Sequence, residues 1–498
     1  MNEVNRPNNL STQTITKNTI YNLLGIGLPV LVAIGSIPLL IERMGTERFG
    51  LLSLCWVIIG YFSIFDLGLG RALTRIIAEK RALNHKQDIA ELASTTTTVI
   101  LLLGFTGAAV LFLTAPWIAN TVMRLPDALR EEALHSMYIL SVSIPVLTLS
   151  ASLKGIMEAY ERFDLVNAIR LPLGLITFLG PLFVVFTYSN RLVDVVGLLV
   201  AVRFGFLMVQ YLLCRRLNAQ MLNPSHIRFR RIREVLHFAG WMTVSNVLSP
   251  MMVYMDRLLM GGLTSIAAVA YYATPYEMVT KILMIPSALS SVLFPAFSGM
   301  KGHQADRIGP LYLRGVTAAM LAMFPVILTV VTFAHGIMEI WLNVEFADQS
   351  YRVMQILAMG VFLNGIANIP YALVQGLGRP DLTAKAHLAE IIGYLPICCM
   401  LILNFGAVGA AIAWLLRVGT DLMLLQGFVL RLAGPVEGIR SFYITLFILL
   451  GFFTLFMLEL HSGVKVSLYI LILMIYAVMV IPYVRKARRI PANEGATG

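Results

Sequence analysis

Phe49–Arg75 reads FGLLSLCWVIIGYFSIFDLGLGRALTR, an apolar run that ends abruptly in charge. The seventeen residues Phe49–Phe65 carry none, and with Leu67 and Leu69 they are long enough to cross most of a bilayer. Asp66 and Arg71 close the run, with Gly68 and Gly70 between them, where backbone can bend or approach a neighbour closely. Charge facing lipid is costly, so both groups are expected at a cavity, a partner or the headgroup layer. Five residues apart, they do not share a helix face as a ready ion pair. Two readings stand: a helix end in the interface, or the polar wall of a translocation path.

The rest of the chain is built on the same compromise. Of its 498 residues 58% are hydrophobic and 13% charged, with a mean hydropathy of +0.79. A soluble protein of this length needs far more surface charge. The apolar stretches are helical in length, whereas a transmembrane barrel would alternate in ten-residue segments. An all-α polytopic membrane protein is expected, with about fourteen transmembrane helices. They fall near 19–41, 49–69, 92–114, 133–153, 167–188, 192–214, 235–260, 266–297, 311–334, 351–373, 384–404, 407–430, 441–459 and 464–484. The eighth is long and interrupted by Pro275, Pro286 and Pro295, which predicts a kink, a tilt or an interfacial portion.

Charge sets the orientation. The basic residues concentrate in alternate loops, above all 70–90 and 215–233, and in the tail at Arg485, Lys486, Arg488 and Arg489. By the positive-inside rule those segments and both termini are cytoplasmic. Topology thus absorbs the formal charge of +11, and no nucleic-acid module is evident. Residues 1–18 are polar and lack the apolar core of a signal peptide. Cys55, Cys214, Cys398 and Cys399 all fall in or beside apolar runs, and the adjacent Cys398 and Cys399 have neither CxxC spacing nor histidine neighbours, which argues against redox or metal chemistry. The eight histidines are read as loop or span-end residues that form no metal cluster.

An internal duplication runs through the chain. IMEAYERFDLVNAI at 156–169 matches LVQGLGRPDLTAKA at 373–386, placing Arg162 on Arg379 and Asp164 on Asp381. Met44-Gly45 falls on Met260-Gly261, and Arg203-x-Gly205 on Arg417-x-Gly419. The expected organisation is a cytoplasmic segment 1–18, an N-lobe 19–217, a basic linker 218–234, a C-lobe 235–432, two appended helices within 441–484 and a cytoplasmic tail 485–498. Six spans per repeat preserve orientation, so the lobes are parallel copies flanking a cavity that can open to alternate sides. The basic linker serves topology or holds anionic headgroups.

The ionisable residues placed in the spans are few. Asp256 and Arg257 are adjacent, Glu277 and Lys281 are four apart in the favourable order, Glu390 stands alone, and Arg417 and Asp421 are four apart. Lys154 and Glu158 end the fourth span. Each pair is either a structural tie or part of a path in which Arg or Lys receives an anion and a carboxylate carries an ion. Substrate-binding candidates are Arg203, Arg417, Lys281, Arg257 and Arg71. Ion-coupling or charge-pair candidates are Asp66, Asp256, Glu277, Glu390 and Asp421. Arg203 leads the first group because no acid lies three or four residues away. Tyr271, Tyr272 and Tyr276 either pack or stack on sugars. No P-loop and no soluble catalytic domain is present, which argues against an enzyme.

LIERMGTERFGLLSLCWVIIGYFSIFDLGLGRALTR at 40–75, the GRPDL segment at 378–382 and the fourteen-span count resemble the polysaccharide-biosynthesis transporters. These are the O-antigen-translocase-like flippases of the multidrug, oligosaccharide-lipid and polysaccharide exporter superfamily. The resemblance implies a V-shaped pair of six-helix lobes around a cationic cavity, in a bacterial inner membrane. It implies an undecaprenyl-diphosphate-linked oligosaccharide as substrate, turned toward the periplasmic or outer leaflet, and a polysaccharide polymerase and glycosyltransferases as partners. It implies no cofactor, with protons or sodium ions or the membrane potential as the drive. Competing readings are a peptidoglycan-precursor flippase, an ion-coupled drug or metabolite antiporter, and a non-transport scaffold for glycosyltransferases.

Overall fold

Gly45 sets the first bend. Its φ of +80° is left-handed backbone that a side chain disfavours, and it ends the helical stretch 31–44 before α1 (Thr46–Phe62) begins. The computed structural model describes residues 28–29, 31–62, 73–74, 77, 80–81, 86–123, 125–160, 162–231, 254–299, 305–458 and 461–488. Asp66 and Arg71 lie outside the described residues.

The described chain is helical and contains no strand. After α1 come α2 (Lys86–Trp117), α3 (Asp127–Ala159), α4 (Phe163–Thr187) and α5 (Leu192–Leu217). Then follow α6 (Ile266–Thr280), α7 (Met284–Gly299), α8 (Ala305–Trp341), α9 (Val344–Gly376), α10 (Pro380–Ala433), α11 (Ile439–Met457) and α12 (Ser462–Arg488). Among the described residues nine helical segments are long and apolar enough to cross a membrane. Large apolar side chains such as Leu113, Ile392 and Met423 stay more than 70% exposed, as lipid allows and water would not. The proline-rich eighth span is two helices, α6 and α7, joined by a 3-10 turn at Lys281–Leu283.

Two compact units divide the chain between Ala270 and Tyr271, inside α6. In the first, α3 packs against α2 and α5, and α4 against α5. Lipid gives no hydrophobic drive for such contacts, so close approach must supply them. Gly104 provides one: a Cβ there would stand 2.3 Å from Thr148 Oγ1. Part of the polar run of α2 is satisfied outside its own helix, since Thr97 and Ser152 share a 2.8 Å hydrogen bond and Ser94 donates to the Met221 carbonyl, while the buried Thr96 hydroxyl has no partner. The linker after α5 is held here too. Arg231 pairs with Asp88 at 2.6 Å and Glu91 at 3.2 Å, and the Arg228 backbone N–H donates to Thr95. These basic residues therefore do structural work besides any topogenic one.

In the second unit α9 packs between α8 and α10. Gly360 lets the α9 backbone meet Trp414, whose ring would lie 2.3 Å from an added Cβ. The 54 residues of α10 would span about 80 Å if straight, far beyond a bilayer. Gly406, at φ 57° and ψ −131°, folds them into a hairpin. Arms before and after it run back along one another, and Gly409 presses on the Leu401 carbonyl.

The duplicated turn carries the same bonds at both copies. The Arg162 backbone N–H donates to Met157 and that of Arg379 to Val374, while Leu165 and Leu382 return to the two arginine carbonyls. Each arginine also grips the aspartate two residues on, Arg162 to Asp164 and Arg379 to Asp381, through two hydrogen bonds. Met44-Gly45 and Met260-Gly261 are matched in sequence only, because Gly261 is helical and packs on Leu54.

Candidate functional site

Arg203 is set in the middle of α5 with 8% of its surface exposed. Its Nη1 donates to the Leu199 carbonyl one turn back, at 3.0 Å. No carboxylate pairs with it among the described residues. Leu207, a turn further along the same face, lines an apolar groove of about 780 Å³. Phe105 and Phe112 of α2, Pro145 of α3 and Phe204 and Met208 of α5 are among the other residues of its wall. The first unit therefore holds a buried cation on a helix that also borders an open apolar groove.

Arg417, the sequence counterpart of Arg203, has different surroundings. The α10 hairpin brings His387 and Glu390 on one arm against Asp421 on the other. A ring nitrogen of His387, a carboxylate oxygen of Glu390 and one of Asp421 all lie within 4.8 Å of one another. Glu390 is 7% exposed, and neither of its oxygens accepts a hydrogen bond; Asp421 Oδ1 and His387 Nδ1 are equally unserved. The Arg417 guanidinium carbon stands 5.8 Å from the Tyr394 ring centroid. Glu390, Tyr394, Arg417 and Thr420 line a cavity of about 250 Å³.

The expectation that no histidine joins a metal-type cluster is thus corrected at His387. Sequence held the parts of this cluster without its assembly. His387 and Glu390 are three apart and share a helix face, as Arg417 and Asp421 do at four. The spans expected at 384–404 and 407–430 already leave the turn between them, at Gly406; spacing along each helix does not tell which faces that turn brings together.

The remaining candidates divide. Lys281 binds Glu277 at 3.1 Å across one turn, as their spacing predicts, with both side chains about a third exposed. Lys154 and Glu158 pair likewise at 3.5 Å. Asp256 and Arg257 are buried in the first unit, where the Arg257 backbone N–H donates to Asp256 Oδ1 at 2.7 Å. Tyr272 is fully buried and stacks on Tyr276, which packs edge-on to Trp414. Packing accounts for those two rings.

The profile of the polysaccharide biosynthesis protein family matches residues 15–301, more than half of the chain. The chain belongs to that family. A Shigella flexneri protein named "Putative O-antigen transporter" is 30% identical over 429 residues, which are 85% of this chain and 100% of the relative. A Haloferax volcanii protein named a probable low-salt glycan biosynthesis flippase is 26% identical over 42% of this chain and 44% of its own length. The fold is shared with the lipid II flippase MurJ in an inward closed conformation, with a TM-score of 0.73 at 12% identity, over 95% of this chain and 100% of that one. An inward-facing multidrug transporter of the MATE family also has this fold, with a TM-score of 0.66 at 13% identity over 83% and 95% of the two chains. This family member is a multi-pass membrane protein, helical and without strands among the described residues, with the fold of those two transporters.

Proposed function

We propose that the protein translocates an undecaprenyl-diphosphate-linked oligosaccharide from the cytoplasmic to the outer leaflet of a bacterial inner membrane. It does so by alternating access, as a non-enzymatic step in surface polysaccharide biosynthesis driven by an ion gradient or the membrane potential. The observation that carries this reading is Arg203, a buried guanidinium with no acidic partner among the described residues, on the helix that borders an apolar groove. An anionic head joined to an isoprenoid chain needs a cation and an apolar surface, which α5 carries one turn apart at Arg203 and Leu207, and a planar guanidinium suits a diphosphate. The relationship to the Shigella flexneri protein named "Putative O-antigen transporter", over 85% of this chain, supports the same substrate class.

Arg203→Ala is expected to lower translocation of a labelled lipid-linked oligosaccharide in vesicles by about 10- to 100-fold, the worth of one charge-assisted contact of roughly 1.5–3 kcal/mol. Arg203→Lys should retain part of the rate, since charge persists without the fork. Wild-type translocation by a folded Arg203→Ala protein would remove this residue from the path.

Orientation has its own test. Cysteines at exposed Asn190 and Gln220, at opposite ends of α5, are placed in a protein lacking Cys55, Cys214, Cys398 and Cys399. In intact spheroplasts only the first should react with an impermeant thiol reagent. Labelling at 220 from outside reverses the assigned topology.

A further inference from the structure

Three electron-pair donors face a common centre in the α10 hairpin, and no hydrogen-bond donor serves the carboxylate that is buried deepest there. We infer that His387, Glu390 and Asp421 form a binding site for a first-row divalent metal ion of the zinc class, independent of the transport reading above. The cluster offers one imidazole and two carboxylates, ligand types that zinc accepts, and three protein ligands are the number that leaves a tetrahedral ion one open position; such sites commonly hold more nitrogen or sulfur than this one. Its ligand atoms lie within 4.8 Å of one another. Bonds of about 2.0–2.2 Å would place donors roughly 3.3 Å apart, so closing on an ion takes side-chain shifts of an ångström or so.

Glu390 supplies the second, separate observation. It is more than nine-tenths buried, points into the cluster, and accepts no hydrogen bond through either oxygen. Such a group is expensive to bury unless something positive sits against it. Thr420 donates its hydroxyl proton to the Leu416 carbonyl at 2.9 Å, which leaves oxygen lone pairs facing the adjoining cavity. The cavity also has room for water, so the fourth position can be filled from there.

The donor types choose among cations. Sodium, magnesium and calcium are hard and take oxygen; an imidazole nitrogen favours zinc and its transition-row neighbours. Arg417 limits the affinity. Two carboxylates and one guanidinium leave a single formal negative charge, which a divalent ion overcompensates. Arg417 thus repels the metal while its side chain lies over Tyr394. Neutralising it should tighten binding, the opposite of what removing a ligand does.

The test uses the full chain purified in detergent, titrated with zinc and followed by bound metal per chain and by thermal shift. Wild type is expected to bind one zinc ion at this site, with excess sodium or magnesium unable to compete. His387→Ala and Glu390→Gln should each weaken that binding at least tenfold, and Arg417→Gln should strengthen it about tenfold. Metal-free melting temperatures confirm that every variant is folded, and Glu390→Gln keeps the side chain's size. The proposal is overturned if folded wild type binds no zinc or if the zinc survives in both His387→Ala and Glu390→Gln. Displacement of zinc by sodium or magnesium, or weaker binding in Arg417→Gln, overturns it equally.

Discussion

Gly409→Val is expected to yield no monodisperse protein in detergent, whereas Gly427→Ala, on the same long helix, is expected to behave like the parent. At Gly409 a Cβ would lie 1.9 Å from the Leu401 carbonyl oxygen, 2.4 Å from its carbon and 3.0 Å from the Ile402 nitrogen. All three are backbone atoms, so no rotamer can relieve the clash. Valine adds two more carbons to it. The hairpin can close only by moving one arm, and either move separates His387 and Glu390 from Asp421. At Gly427 an added Cβ meets nothing within 4 Å. Alanine there also gains about 1 kcal/mol of helix propensity over glycine. Fluorescence-detected gel filtration and a melting curve decide the matter. A Gly409→Val protein that elutes and melts like the parent would mean that the arms meet by another turn.

The position of that turn is legible, since the spans expected at 384–404 and 407–430 break at it; the side chains it brings together are not. Lipid forces every backbone polar group to be satisfied within a helix, so uncharged runs of twenty residues announce the architecture directly. The repeated R-x-D-L stood out for a similar reason: its arginine and aspartate make a local turn, and local chemistry is visible in a short motif. Helices such as α3 extend well past the expected 133–153 because their ends pack in protein or stand in the interface. Hydropathy marks the lipid-crossing portion only. Which intramembrane charges meet was not legible. Arg203 and Arg417 align in sequence, yet one sits beside an apolar groove and the other beside two acids and a histidine. Partners of that kind come from other helices or from the far arm of a hairpin, and spacing along one helix carries no record of them. Glu277–Lys281 was legible because it is local.

Glu132 shows the same limit at its most consequential. It sits near the start of α3, 6% exposed, in a stretch that reads as an ordinary acidic helix end. Its two oxygens accept Nε of Arg48 at 3.3 and 3.1 Å, and one of them also accepts the backbone N–H of Leu192. A single carboxylate thus joins the first turn of α1 to α3 and serves one of the free amides that open α5. Glu132→Ala should cost about 3 kcal/mol, since removing one member of a buried charged pair costs roughly 3–5 kcal/mol and Arg48, about a third exposed, can recover some solvation. Glu132→Gln keeps an acceptor for Leu192 and should fall between the two. In thermal unfolding the double variant Arg48→Ala/Glu132→Ala should melt close to Glu132→Ala alone, because the stabilising role of Arg48 runs through this carboxylate. Additive losses in that cycle would give Arg48 a separate role, and an unchanged melting temperature for Glu132→Ala would show that α1, α3 and α5 hold their places without it.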